Sequence, residues 1–157
     1  MKLVESTTNK IEKYLSFNVA QDYFAIPLLS VKEVIPLPEL TTVPQTPSHF
    51  LGIINLRGHI ISVLDLKAKL NIKSSKSEEP TVMILNFEKN LIGVLVDSVN
   101  SVISLDAEKI LSPPTTSTNS TNEFVTGVYQ AEDQLVLILN IAKALSIEDL
   151  MILQKTA

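Results

Sequence analysis

Arg57 is the residue whose type and position most invite a chemical reading. It stands in a polar break, Arg57-Gly58-His59, between two apolar runs, 51–56 and 60–66. A guanidinium is always charged and presents a rigid fork of donors. At a turn tip it suits recognition of a carboxylate on a partner, or bracing of a junction against a carboxylate of its own chain. The carboxylates Asp65 and Asp97 each end an apolar run. There a carboxylate caps the following turn, and general-base chemistry would need a partner that the neighbouring sequence does not show. With two histidines, His49 and His59, and no cysteine, the chain is poor in zinc ligands and excludes disulfides and cysteine nucleophiles. It holds no GxGxxG, GxxxxGKS/T, HExxH or GxSxG pattern. The expectation is a protein without catalytic, metal-binding or cofactor-binding residues.

The elements that position Arg57 come next. β-branched runs on both sides of a Gly-containing break read as strand, turn, strand over residues 50–66. That hairpin is part of an internal repeat. Residues 14–34, YLSFNVAQDYFAIPLLSVKEV, align without a gap with 82–102, VMILNFEKNLIGVLVDSVNSV, so that Asn18 meets Asn86 and Val31 meets Val99. Residues 52–70 align likewise with 127–145, with Gly52 on Gly127 and Asp65 on Asn140. Each half therefore reads as hairpin, connection, hairpin. In this alignment Arg57 meets Glu132 and Gly58 meets Asp133. If both halves share a fold, that fold does not require a cation at the turn, which makes Arg57 a candidate for function. A second candidate is 28–35, LLSVKEVI, where apolar residues surround Lys32 and Glu33. It reads equally as a turn with a core face or as an exposed apolar patch with a charged rim.

Composition bounds the rest. The chain has 157 residues, 45% of them hydrophobic and only 5% aromatic, so aliphatic side chains must build the core. The net charge of −4 argues against nucleic acid as a partner, and the one basic cluster, Lys67, Lys69, Lys73 and Lys76, lacks interleaved aromatics. The first residues, MKLVESTTNKIEKY, contain no signal-peptide core, and apolar runs such as 91–96 are far shorter than the ~20 residues of a membrane span. A cytoplasmic protein without direct membrane insertion is expected. Residues 71–80 and 112–122 read as polar loops, and four prolines between 36 and 47 argue against a helix there. Ser146, with Glu148 and Asp149 behind it, reads as the start of a C-terminal helix.

From about Tyr14 to the C-terminus the chain resembles the CheW family, the coupling proteins of bacterial chemotaxis. The resemblance rests on YLSF at 14–17, YFAIPL at 23–28, VKEVI at 31–35, GIINLRG at 52–58, VLDL at 63–66, GVLVDSV at 93–99, FVTGV at 124–128 and LVLILNI at 135–141. It is the pattern of a stand-alone coupling protein. The resemblance implies a mainly β fold of two five-stranded SH3-like β-barrel subdomains with short helices. We place a flexible segment at 1–13, a CheW-like domain at 14–145 and the C-terminal helix at 146–157. The subdomains are placed at approximately 14–70 and 82–145, exchange of terminal strands between them being left open. It further implies a non-enzymatic adaptor, associated with membrane receptor arrays, that joins the helical hairpin at the cytoplasmic tip of chemoreceptors to the CheW-like regulatory domain of the histidine kinase CheA. Val31, Glu33, Arg57, Val82 and Met83 match family positions implicated in receptor contact, and Ile35 stands where some members carry a basic residue. The alternative is a small β-barrel enzyme or ligand-binding domain, which would require a deep polar pocket with coupled carboxylates between the barrels.

Overall fold

The computed structural model describes residues 11–73, 78–87, 90–113 and 124–144. Its strands are β1 (Ile11–Val19), β2 (Asp22–Pro27), β3 (Val31–Pro36), β4 (Phe50–Leu56), β5 (His59–Asp65), β6 (Thr81–Phe87), β7 (Asn90–Val96), β8 (Ser98–Asp106), β9 (Val125–Ala131) and β10 (Gln134–Leu139). Single 3-10 turns, Leu28–Ser30 and Ala107–Lys109, follow β2 and β8, and one-turn helices, Leu66–Lys69 and Ile141–Ala144, follow β5 and β10. The expected C-terminal helix at 146–157 lies outside the described residues, as do residues 1–10.

The strands sort into two five-stranded sheets. The first runs β8-β1-β2-β10-β9 and the second β3-β6-β7-β5-β4. Residues 11–13 belong to β1, where they pair with Ser104, Leu105 and Asp106 of β8. The first sheet draws its strands from both ends of the chain while the second is β3 to β7 without interruption, so strands are exchanged between the spans 14–70 and 82–145. Each repeat gives its third strand to the opposite sheet. A hairpin and its continuation need not stay together when the connection is as short as Leu28–Ser30 or the single residue Asp97.

The repeat survives at the level of strand register. Val31 faces Leu85 and Glu33 faces Ile84 in the second sheet, while their mates Val99 and Ser101 face Phe17 and Ser16 in the first. Both strands skip one residue there, Lys32 in β3 and Asn100 in β8. The parallel pairs match as well: Leu137 faces Phe24, and Ser62 faces Ile92. The topology is therefore twofold symmetric, with β1, β2, β8, β9 and β10 exchanging with β6, β7, β3, β4 and β5.

That symmetry organises the core. One cluster is shared between the sheets and pairs mates from both, including Phe17 with Leu85, Phe24 with Ile92 and Leu15 with Met83. Phe17 and Phe24 stack with centroids 5.9 Å apart. Each sheet also has a smaller cluster of its own, Tyr14, Ala25 and Val136 in one and Val82, Ile61 and Val63 in the other. Burial of this aliphatic surface is the main favourable term, roughly 25 cal/mol per Å². Gly52, with φ of +152°, accepts the close approach of the chain at Thr41, whose carbonyl oxygen would lie 2.5 Å from an added Cβ. The bridge formed there, Thr41 to Ile53, has its counterpart at Leu111 to Val128.

Candidate functional site

Arg57 and Gly58 form the two-residue loop between β4 and β5, with φ of +52° and +86°. Two positive φ values suit a hairpin whose strands twist right-handedly, and Gly removes the Cβ penalty at the second position. The Asn55 side-chain oxygen accepts from the Gly58 N–H at 3.0 Å and fixes the turn. At the equivalent loop Glu132 has φ of +55°, so the left-handed conformation belongs to the frame and not to Arg57 alone.

The Arg57 side chain is 69% exposed and reaches Glu33 on β3. Two parallel bonds form, Nη1 to Oε1 at 2.5 Å and Nη2 to Oε2 at 3.0 Å. β3 and β4 are the two edge strands of the second sheet, so this fork joins one edge to the turn beside the other. The Arg57 hydrogen bonds hold the Glu33 carboxyl below its ordinary range, and Glu33 in turn holds the guanidinium above its own. Both groups are charged at neutral pH. The pair fixes the guanidinium in one orientation while its outer face meets solvent.

The other expected contact residues fall differently. Val31, at the start of β3, is half-buried and packs against the shared core. Val82 and Met83 are fully buried in β6, an inner strand. In this structure neither side chain presents surface to solvent. Their mates Tyr14 and Leu15 are buried core residues too, so these positions serve the frame. The signal was present in the unbroken apolar run Val82, Met83, Ile84, Leu85, because a strand buried on both faces shows no alternation. Segment 28–35 divides between its two readings. Leu28, Val31 and Ile35 pack inward, whereas Leu29 is 96% and Val34 39% exposed.

The carboxylates are committed to structure. Asp65 accepts from the Lys67 backbone N–H at 3.0 Å. Asp97 accepts from the Ala20 N–H at 2.6 Å and pairs with the Lys67 ammonium at 3.0 Å. All three side chains line one cleft, yet each carboxylate carries a bond a local turn or helix needs, which is not the arrangement of a general acid and base. The Lys67–Asp97 pair was not anticipated. The same asymmetry that singles out Arg57 would have found it, since Asp97 meets Leu29 in the first alignment.

Comparison with known proteins places this geometry. The family model described as CheW-like domain matches residues 13–149. The chain is 31% identical over 147 residues to a chemotaxis protein CheW from Klebsiella aerogenes, covering 93% of this chain and 89% of that protein. It is 26% identical over 141 residues to a chemotaxis protein CheW from Treponema pallidum, covering 87% and 83%. Among solved structures it is similar to the scaffolding protein TtCheW from Thermoanaerobacter tengcongensis. That match has a TM-score of 0.79 and 32% identity, and spans 88% of this chain and 94% of that one.

Proposed function

The chain belongs to the CheW-like family of chemotaxis scaffold proteins, and from that premise we propose that it couples the cytoplasmic tips of chemoreceptors to the histidine kinase CheA. The role is that of a non-enzymatic adaptor in the cytoplasm, brought to receptor arrays by its partners. Among the described residues no helix is long and apolar enough to cross a membrane.

The observation that carries the receptor side of this reading is the Glu33–Arg57 fork. It lies exposed on the second sheet, while the mates of Glu33 and Arg57 are Ser101 and Glu132, which cannot pair in this way. The receptor tip, a helical hairpin, docks along β3 and the β4–β5 turn. Val31 contributes apolar contact, and Glu33 and Arg57 set orientation. Because the guanidinium is already held by Glu33, little side-chain freedom is lost on docking, and preorganisation of this kind favours binding. A charge at an interface rim acts chiefly on association and specificity. The kinase's CheW-like regulatory domain uses a separate surface.

The test is capture of the purified protein by two baits, a chemoreceptor cytoplasmic fragment and a CheA regulatory domain. Wild type should bind both. Arg57→Glu should lose the receptor fragment, keep the kinase domain and retain its melting temperature. Equal binding of the receptor fragment by Arg57→Glu would remove Arg57 from the receptor surface. Binding of neither folded bait by wild type would end the coupling reading.

A further inference from the structure

The twofold topology relates two clefts where the sheets meet. One, of about 380 Å³, is lined by Val19, Leu51, Asp65, Lys67, Leu95 and Asp97. The other, of about 290 Å³, is lined by their mates Phe87, Thr126, Asn140, Ala142 and Pro27. Five of these six positions have mates lining the second cleft, and the charge of Asp65 gives way there to the neutral Asn140. Lys67 is replaced by Ala142, and Asp97 has as its mate Leu29.

Asp97 is the single residue through which β7 of the second sheet passes into β8 of the first. Its backbone N–H donates to the Asn18 carbonyl at 3.0 Å. Its carboxylate accepts from the Ala20 N–H in the β1–β2 turn of the first sheet and meets the Lys67 ammonium, which follows β5 of the second. Three points of chain from two sheets, Asn18, Ala20 and Lys67, thus converge on one residue. The side chains of Lys67 and Asp97 are only 16% and 20% exposed, so solvent and salt screen the pair weakly. At the other crossover a leucine side chain can neither accept from a turn amide nor pair with an ammonium. The clamp therefore exists on one side of the axis only. Apolar contact is non-directional, whereas hydrogen bonds and an ion pair favour one arrangement.

We propose that Asp97 is a positioning residue whose carboxylate, bound to Ala20 and Lys67, fixes the angle between the two sheets and so the relative orientation of the surfaces they present. Its functional consequence rests on the coupling reading above; the angle itself is measurable with no partner present. The test uses the full-length, nitrogen-15-labelled chain and residual dipolar couplings of backbone amides in each sheet. In wild type one alignment tensor should fit both sheets. In Lys67→Met and in Asp97→Asn the tensors should separate, and Lys67→Arg should restore a single tensor. Lys67→Met leaves the Ala20 cap in place, so it keeps the test alive if Asp97→Asn fails to fold. A single tensor in both variants overturns the proposal.

A second arm measures capture by the two baits, alone and together. Each variant should bind either bait singly as wild type does and lose the complex with both. Separated tensors with an intact three-component complex overturn the positioning role. If wild type binds neither bait, the coupling reading fails, and the tensors alone decide whether Asp97 sets the angle.

Discussion

At the tip of the β4–β5 hairpin the second sheet sets Arg57 against Glu33; at the equivalent hairpin of the first sheet stand Glu132 and Ser101. The strands beneath have the same register, the same skipped residue and the same left-handed turn. The comparison separates frame from function. Exposed apolar residues recur at mates, Val34 with Val102 and Ile60 with Leu135, so those exposures come with the frame. Arg57 and Asp97 have mates of different chemistry, and both make directional bonds the other half lacks. An internal repeat thus supplies a control within one molecule: a feature present in both halves needs no partner to explain it.

The largest expected effects test whether the halves are equivalent in the core. Phe17→Ala should cost about 3–5 kcal/mol and its mate Leu85→Ala about 2–5 kcal/mol by chemical denaturation. A loss below about 1 kcal/mol at either would break the equivalence, because it would mean that one side collapses to fill its cavity. Next comes the crossover pair. Asp97→Ala should cost about 2–3 kcal/mol, since it removes a poorly exposed ion-pair partner and leaves a turn amide without its acceptor. Leu29→Ala, at the mate position, should stay within about 0.5 kcal/mol by the same measurement. Equal losses at the two would erase the asymmetry between crossovers.

Gly58→Ala should cost about 1 kcal/mol. An added Cβ there meets nothing within 4 Å, so the loss is backbone conformation alone. A much larger loss in thermal unfolding would show that the turn is packed and not free. The smallest stability effect belongs to Arg57→Glu, whose melting temperature should nearly match wild type while receptor-fragment capture is lost. Its mate, Glu132→Arg, should leave that capture unchanged; a loss there would place the receptor across both hairpins.

The fork also has a pH signature. Glu33 is held below its ordinary value, so its contribution is present above the unfolded carboxyl pKa and lost as pH falls through the lower folded value. Arg57 is held above its own, so its contribution is lost only as pH rises through the folded guanidinium value. The pair should hold steady through neutral pH. A carbon-detected titration should place the Glu33 midpoint below that of a free glutamate in wild type and return it toward the ordinary range in Arg57→Met.

Much of this was legible before any coordinates. The alternation and turn residues around Arg57-Gly58 marked a hairpin, because strand period and positive-φ chemistry are local. The repeat aligned mates that share register in three dimensions, from Val31 and Val99 to Gly52 and Gly127. The burial of Val82 and Met83 was legible in their continuous apolar run, whereas a family position says nothing of which way a side chain faces.

What the sequence determined by itself is therefore local or periodic: strands, turns, the duplication, and the cation without a counterpart. The tertiary structure decided which strands share a sheet, that Glu33 is the partner of Arg57, and that Asp97 ties the two sheets. Those outcomes join residues 24, 77 and 30 positions apart, Glu33 to Arg57, Ala20 to Asp97 and Lys67 to Asp97. No local preference encodes such pairings. They follow from burying two apolar faces against each other, which brings distant edges and crossovers within bonding reach only after the sheets have formed.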